Sequence, residues 1–177
     1  LYRKTGFHGK IGYNYCTLQF ALKQETIIMD RVEKAMQRHA SGFGCAQCVA
    51  SVFAEELGVS EVTAQNLALG MGGGLGRSGE VCGAISGGIM VLGMKNGVSS
   101  MDGEANKVAK EKVYALDQEL IRQFKERTGA IRCNDILGFD MNDAAARKEA
   151  TEKGVFATRC NGCIKDSIEI VETLIKD

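Results

Sequence analysis

The chain has 177 residues, with 22 Lys and Arg against 22 Asp and Glu, so its formal charge is zero. That length fits one domain, or one domain with an appendage, and is enough to bury a core. Balanced, interspersed charge excludes an electrostatic nucleic-acid binder, and the absence of proline suits a helical chain with short joints.

Residues 1–28 differ from the remainder. They hold five of the eleven aromatics (Tyr2, Phe7, Tyr13, Tyr15 and Phe20), three glycines and mostly basic charge. The expected division is an N-terminal extension over 1–28 and a domain over 29–177. His8 and Cys16 read as incidental surface groups.

From there the pattern is helical. Residues 26–40 form an amphipathic stretch with Ile28, Val32, Ala35, Met36 and His39 on one side. His39 reads as a surface or packing residue. The next helix is expected over 44–57, with Cys45 in its first turn and Cys48 one turn later, and Gly58 as its stop. Ser60 is an N-cap with Glu61 in the first turn, opening a helix to about Met71.

Gly70 to Gly93 reads GMGGGLGRSGEVCGAISGGIMVLG. A glycine-rich turn leads to Cys82, and a helix is expected from about Gly79 to Met94. On it Gly83 and Gly87 share one bare face, with Cys82 and Ser86 on the adjoining stripe. Each helical glycine costs about 1 kcal/mol against alanine. That face must therefore be filled, by a closely packed helix or by a bulky guest at Cys82. Gly74 to Gly79 formally matches a dinucleotide-binding fingerprint. That motif needs a strand before it and a helix after it in a parallel sheet, and no strand precedes it.

A loop over 95–102 precedes a long helix over 103–128, whose inward stripe is Val108, Val113, Leu116, Leu120, Ile121 and Phe124. Gly129 ends it. A short helical turn carries Cys133. Asn142 or Asp143 caps a helix to Lys153, closed by Gly154, and the last helix opens near Cys160. No segment alternates like a strand. The expected fold is all-α, a compact bundle of six or seven helices.

Seven scattered cysteines and no evident secretory signal argue against a disulfide framework and for metal or redox chemistry in the cytoplasm. The longest uncharged run, 81–94, is shorter than the ~20 apolar residues of a membrane span. Two cysteine patterns compete. Cys45-Cys48 and Cys160-Cys163 are both CxxC pairs, which could clamp a zinc ion in a structural or interaction domain. Val49 and Ile164 follow them where covalent haem attachment needs histidine. The other pattern takes one cysteine from each of four segments: Cys45, Cys82, Cys133 and Cys160.

GCAQ around Cys45, GGGLGR, GEVCGAISGG at Cys82, RCNDILGFD at Cys133 and the cysteine opening the last helix occur in order. Over about 29–177 this set resembles the CGAxxG-motif family of redox-active proteins, defined by four spaced cysteines. It is also similar to the cluster-bearing, non-haem part of split-Soret cytochromes. The resemblance implies that Cys45, Cys82, Cys133 and Cys160 are metal ligands and that Cys48 and Cys163 are additions. Four thiolates suffice for a [2Fe–2S] or [4Fe–4S] cluster, and Gly83 and Gly87 would leave room for its core. Glu80 and Arg77 flank Cys82 and could tune such a centre. Asp135 and Asp140 form no acid–base pair.

The expected function is redox, by an iron–sulfur centre serving electron transfer or sensing. The alternatives are the zinc domain and a metal-free thiol–disulfide protein. The expected partner is an electron-transfer protein of unspecified identity; self-association stays open. The four sulfurs should face one shared pocket, or pair in part as disulfides.

Overall fold

The computed structural model describes residues 15–176. His8 and the side chain of Cys16 lie outside the described residues. Within them the chain forms eight α-helices: α1 (Tyr15–Ala40), α2 (Cys45–Ser51), α3 (Glu61–Ala68), α4 (Gly83–Asn96), α5 (Gly103–Thr128), α6 (Cys133–Leu137), α7 (Ala144–Glu152) and α8 (Asn161–Leu174). Short 3-10 turns cover Glu55–Leu57 and Leu69–Met71, and a π-helical turn covers Phe156–Cys160. No strand occurs among the described residues; one antiparallel bridge joins Val81 to Arg132. The fold is all-α, and the short α6 brings the helix number to eight.

Several boundaries follow directly from capping chemistry. Ser60 accepts a hydrogen bond from Thr63 N, and Asp102 accepts from Glu104 N and Ala105 N. Gly58 and Gly129 close their segments in the left-handed conformation. Three boundaries differ from expectation. Helix α2 ends at Ser51 rather than Leu57, the rest of that stretch being a turn and the 3-10 segment Glu55–Leu57. Helix α1 begins at Tyr15 rather than near residue 26, because no glycine interrupts the run from Tyr15 onward. Helix α4 begins at Gly83 rather than Gly79: Gly79 has φ +77° and Cys82 is an extended N-cap.

Helix α4 is central and packs against α2, α5 and α8. Ile85, Val91 and Leu92 are fully buried beside Val49, Phe53, Leu120, Phe124, Ile164, Ile168 and Val171. Full burial of such a side chain is worth roughly 1.5–3 kcal/mol, so this cluster dominates the stability. A Cβ at Gly87 would lie 2.7 Å from Ala46 O and 2.9 Å from Val49 Cβ. The bare face at Gly87 is thus filled by the backbone of α2. On the α8 side, Ser167 Oγ donates to Ala84 O at 2.8 Å.

Helix α1 is fastened by Arg31. Its guanidinium pairs with Glu56 and with buried Glu172, and stacks 4.4 Å from the Phe53 ring centroid. Gln24 Nε2 adds a hydrogen bond to Glu172 Oε2 at 3.0 Å. No helix among the described residues is long and apolar enough to cross a membrane.

Candidate metal centre

The glycine-rich turn builds one wall of the site. Gly73, Gly74, Leu75, Gly76 and Arg77 all have φ between +63° and +70°, a run of left-handed backbone. For Leu75 and Arg77 that conformation costs roughly 1–2 kcal/mol each. A Cβ at Gly74 would lie 2.6 Å from Glu80 N and 2.8 Å from Cys133 Cβ. Only glycine allows this approach, which brings the turn against α6.

Next, two extended segments pair. Cys82 N donates to Ile131 O at 2.8 Å, Cys133 N to Glu80 O at 2.6 Å, and Asn134 N to Gly79 O at 3.1 Å. This miniature ribbon brings Cys82 and Cys133 side by side. Glu80, expected near the chemistry, instead pairs with Arg132 at 2.9 Å on the surface.

The remaining donors come from separate elements. Cys45 is the first residue of α2, His39 lies in the last turn of α1, and Cys160 ends the π-helical turn that runs into α8. Cys160 is therefore inside continuous helical backbone and not at a free helix start. Cys163 follows one turn later.

A cavity of about 160 Å³ is lined by Cys45, Cys82, Cys133, Cys160, Cys163 and His39, with Gly83 in its wall. That is several times the ~30 Å³ share of one liquid water. Gly87 is not part of that wall; it faces Ala46. All six described cysteines are free thiols. Cys48 is fully buried, with its sulfur 3.7 Å from Phe43 O, and is absent from the cavity wall.

One nitrogen of His39 and the sulfurs of Cys45 and Cys160 lie within 4.8 Å of one another. His39 Nδ1 contacts Asn161 Oδ1 at 2.7 Å. With an amide oxygen as acceptor, Nδ1 carries the proton and Nε2 keeps the lone pair. Sequence reading missed His39 because its partner Asn161 is 122 positions away; the only local signal was its place just before GFGC.

The thiols are unequal. Cys82 is held below the ordinary thiol range by a hydrogen bond from Cys163, assisted by the backbone N–H groups of Ala84 and Ile85 at the start of α4. Cys163 is correspondingly pushed up as the proton holder. Cys45 is raised by its hydrogen bond with Cys160 and by burial. Burial lifts Cys133 and Cys48 to about 12. The Cys45 sulfur raises the proton affinity of His39.

Residues 43–174 match the family described as "Putative redox-active protein (C_GCAxxG_C_C)". The chain belongs to this family. A relative from Archaeoglobus fulgidus, an uncharacterized protein, is 26% identical over 160 residues, covering 84% of this chain and 98% of the relative. No solved structure matches. The C_GCAxxG_C_C match begins after His39, so this histidine falls outside the stretch that defines the family.

Proposed function

We propose that this C_GCAxxG_C_C protein binds an iron–sulfur cluster and serves electron transfer or redox sensing. The observation that carries the reading is that Cys45, Cys82, Cys133 and Cys160 line one cavity although four separate segments supply them. The donor set fits: soft thiolates select iron–sulfur, zinc and copper(I) rather than hard cations, and a sulfur-lined hollow would otherwise be a void that packed interiors avoid.

A cluster bound there would supply reversible one-electron transfer. Cys45, Cys82, Cys133 and Cys160 would be its ligands. His39 is a further donor beside Cys45 and Cys160, oriented by Asn161 as metal-ligating histidines are oriented by a carbonyl or carboxylate. The Cys163 S–H donates to the Cys82 sulfur, which withdraws charge from that ligand. Gly83 lets α4 pack close to the start of α2, where a Cβ would lie 3.1 Å from Met71 O and 3.2 Å from Ala46 N.

Anaerobic purification with iron, sulfide and zinc analysis tests this. Iron and sulfide in equal amounts with visible charge-transfer bands support it. Stoichiometric zinc in a colourless protein refutes it. Single serine variants of Cys45, Cys82, Cys133 and Cys160 should lose most of the metal, and Cys48→Ser should keep it. The contacts Cys45–Cys160 and Cys82–Cys163 favour a second reading, a metal-free dithiol pair. In that case the anaerobic protein holds no metal, and an added mild oxidant takes two electrons and two protons per disulfide, a mass loss of two hydrogen atoms.

A further inference from the structure

Beside the sulfur cavity lies a separate open groove of about 810 Å³, a size typical of small-molecule sites, which span ~300–1,000 Å³. Its floor is glycine, including Gly44, Gly72, Gly73 and Gly76. Its charged wall residues are Arg77, Arg147 and Lys148, and no carboxylate lines it. In a chain whose acids and bases balance 22 to 22, three cations without an acid mark a local excess.

The cations are differently held. Arg77 has φ +70°, and its Cγ lies 3.1 Å from where a Cβ of Gly73 would sit, so its stem folds back over the groove floor. It forms no ion pair among the described residues. Arg147 is anchored by Nη1, which donates to Met141 O. The carboxylate nearest to it in effect, Asp140, accepts from Asn134 and from the Asn142 backbone. Lys148 has only a loose 4.0 Å contact with Glu152.

Leu75 shares the left-handed backbone, so strain alone does not call for a charge. What singles out Arg77 is its place: its stem lies over Gly73 in the groove, and no carboxylate lines the groove to neutralise it.

We propose that this groove binds a small anion carrying two or more phosphate or carboxylate groups, with Arg77 and Arg147 as its principal contacts. Gly44, Gly73, Met141 and Phe156 line both groove and sulfur cavity. A ligand here would lie one wall away from the cysteines. That last relation rests on the redox reading above; the anion site itself does not.

Equilibrium dialysis of the full chain with pyrophosphate and with citrate tests the site. At least one should bind with Kd below about 1 mM, and the tighter arm tells phosphate from carboxylate. Arg77→Gly and Arg147→Gln should each weaken binding at least tenfold. Lys112→Gln, on exposed α5, should leave it unchanged. Arg77→Gly also relieves the left-handed strain, so its Tm should rise while its affinity falls, which separates lost binding from lost folding. Its metal content should match that of the parent chain. Absence of binding by both anions overturns the proposal, as does equal weakening by Lys112→Gln. A chain without metal that still binds the anion would defeat only the redox reading.

Discussion

Gly74 and Gly76 share a left-handed backbone but differ in what surrounds them. Replacing Gly74 puts a methyl group 2.6 Å from Glu80 N and 2.8 Å from Cys133 Cβ. Strain and overpacking add, so Gly74→Ala should lower stability by roughly 3 kcal/mol or more and displace Cys133, with loss of any metal that the proposed centre holds. At Gly76 the nearest atom, Gly70 O, is 4.0 Å away. Gly76→Ala should cost only the conformational term, about 1 kcal/mol. Thermal melts with metal analysis on both variants check this, and equal effects would contradict it.

Asp117 on α5 has a buried Oδ1 with no hydrogen-bond partner among the described residues, and burial raises its pKa. Between the ordinary and the raised pKa the folded chain binds more protons than the unfolded one. Stability therefore falls as pH rises through that window and stays lower above it. Asp117→Asn should add roughly 0.5–1 kcal/mol at neutral pH, and the gain should vanish in acid, where both states are protonated. Urea titrations at the two pH values read this out; a pH-independent gain would show that the carboxylate charge is not responsible.

Among the elements, the capped helices were the most legible. The 103–128 helix was readable from Gly129 and from Leu116, Leu120, Ile121 and Phe124, which turn into the core, whereas Val108 of the expected stripe is exposed; its cap Asp102 sits where the preceding loop ends. Helix α1 was read short because the aromatic and basic composition before Met29 looked foreign, whereas the helix continues back to Tyr15. A chain starting at Met29 keeps Arg31 and its partners but loses the Gln24–Glu172 hydrogen bond and two half-buried residues, Ile27 and Ile28. It should fold about 2–3 kcal/mol less stably and bind as much metal as the full chain does, since His39 lies at the other end of the helix. A truncated chain without metal would tie residues 15–28 to the centre. The π-helical turn at Phe156–Cys160 had no sequence signal, because its hydrogen-bond spacing depends on how 154–160 packs and not on residue type.

At the scale of the molecule, the ordered cysteine motifs were legible because the family spaces them along the chain, and the resemblance pointed to Cys45, Cys82, Cys133 and Cys160. Of their neighbours, Cys163 was legible only as half of a CxxC pair, and His39 was not legible as a donor. Both depend on how α1 and α8 come together, which periodicity does not report. A metal at the centre would cross-link α1, α2, the ribbon and α8, so binding would feed directly into folding. A ligand at a thousand times its Kd adds about 4 kcal/mol, and a domain of this size shifts about 2–4 °C per kcal/mol. Anaerobic removal of the metal should thus lower Tm by about 10 °C. An unchanged Tm would mean the helices are held by the apolar core alone.

The ribbon between residues 79–82 and 131–134 makes the two sides of the cavity unlike. Its backbone hydrogen bonds fix Cys82 and Cys133 as diagonal neighbours across the ribbon, both lining the cavity. Cys45, His39 and Cys160 ride on separate elements and are tied by side chains instead, His39 Nδ1 reaching Asn161 Oδ1 beside Cys160. One side of the cavity is thus set by main-chain bonds that any residue type could make, and the other by side-chain bonds that single substitutions would remove. Disorder introduced by a substitution such as Asn161→Ala would then fall on the His39 side and leave the spacing of Cys82 and Cys133 unchanged.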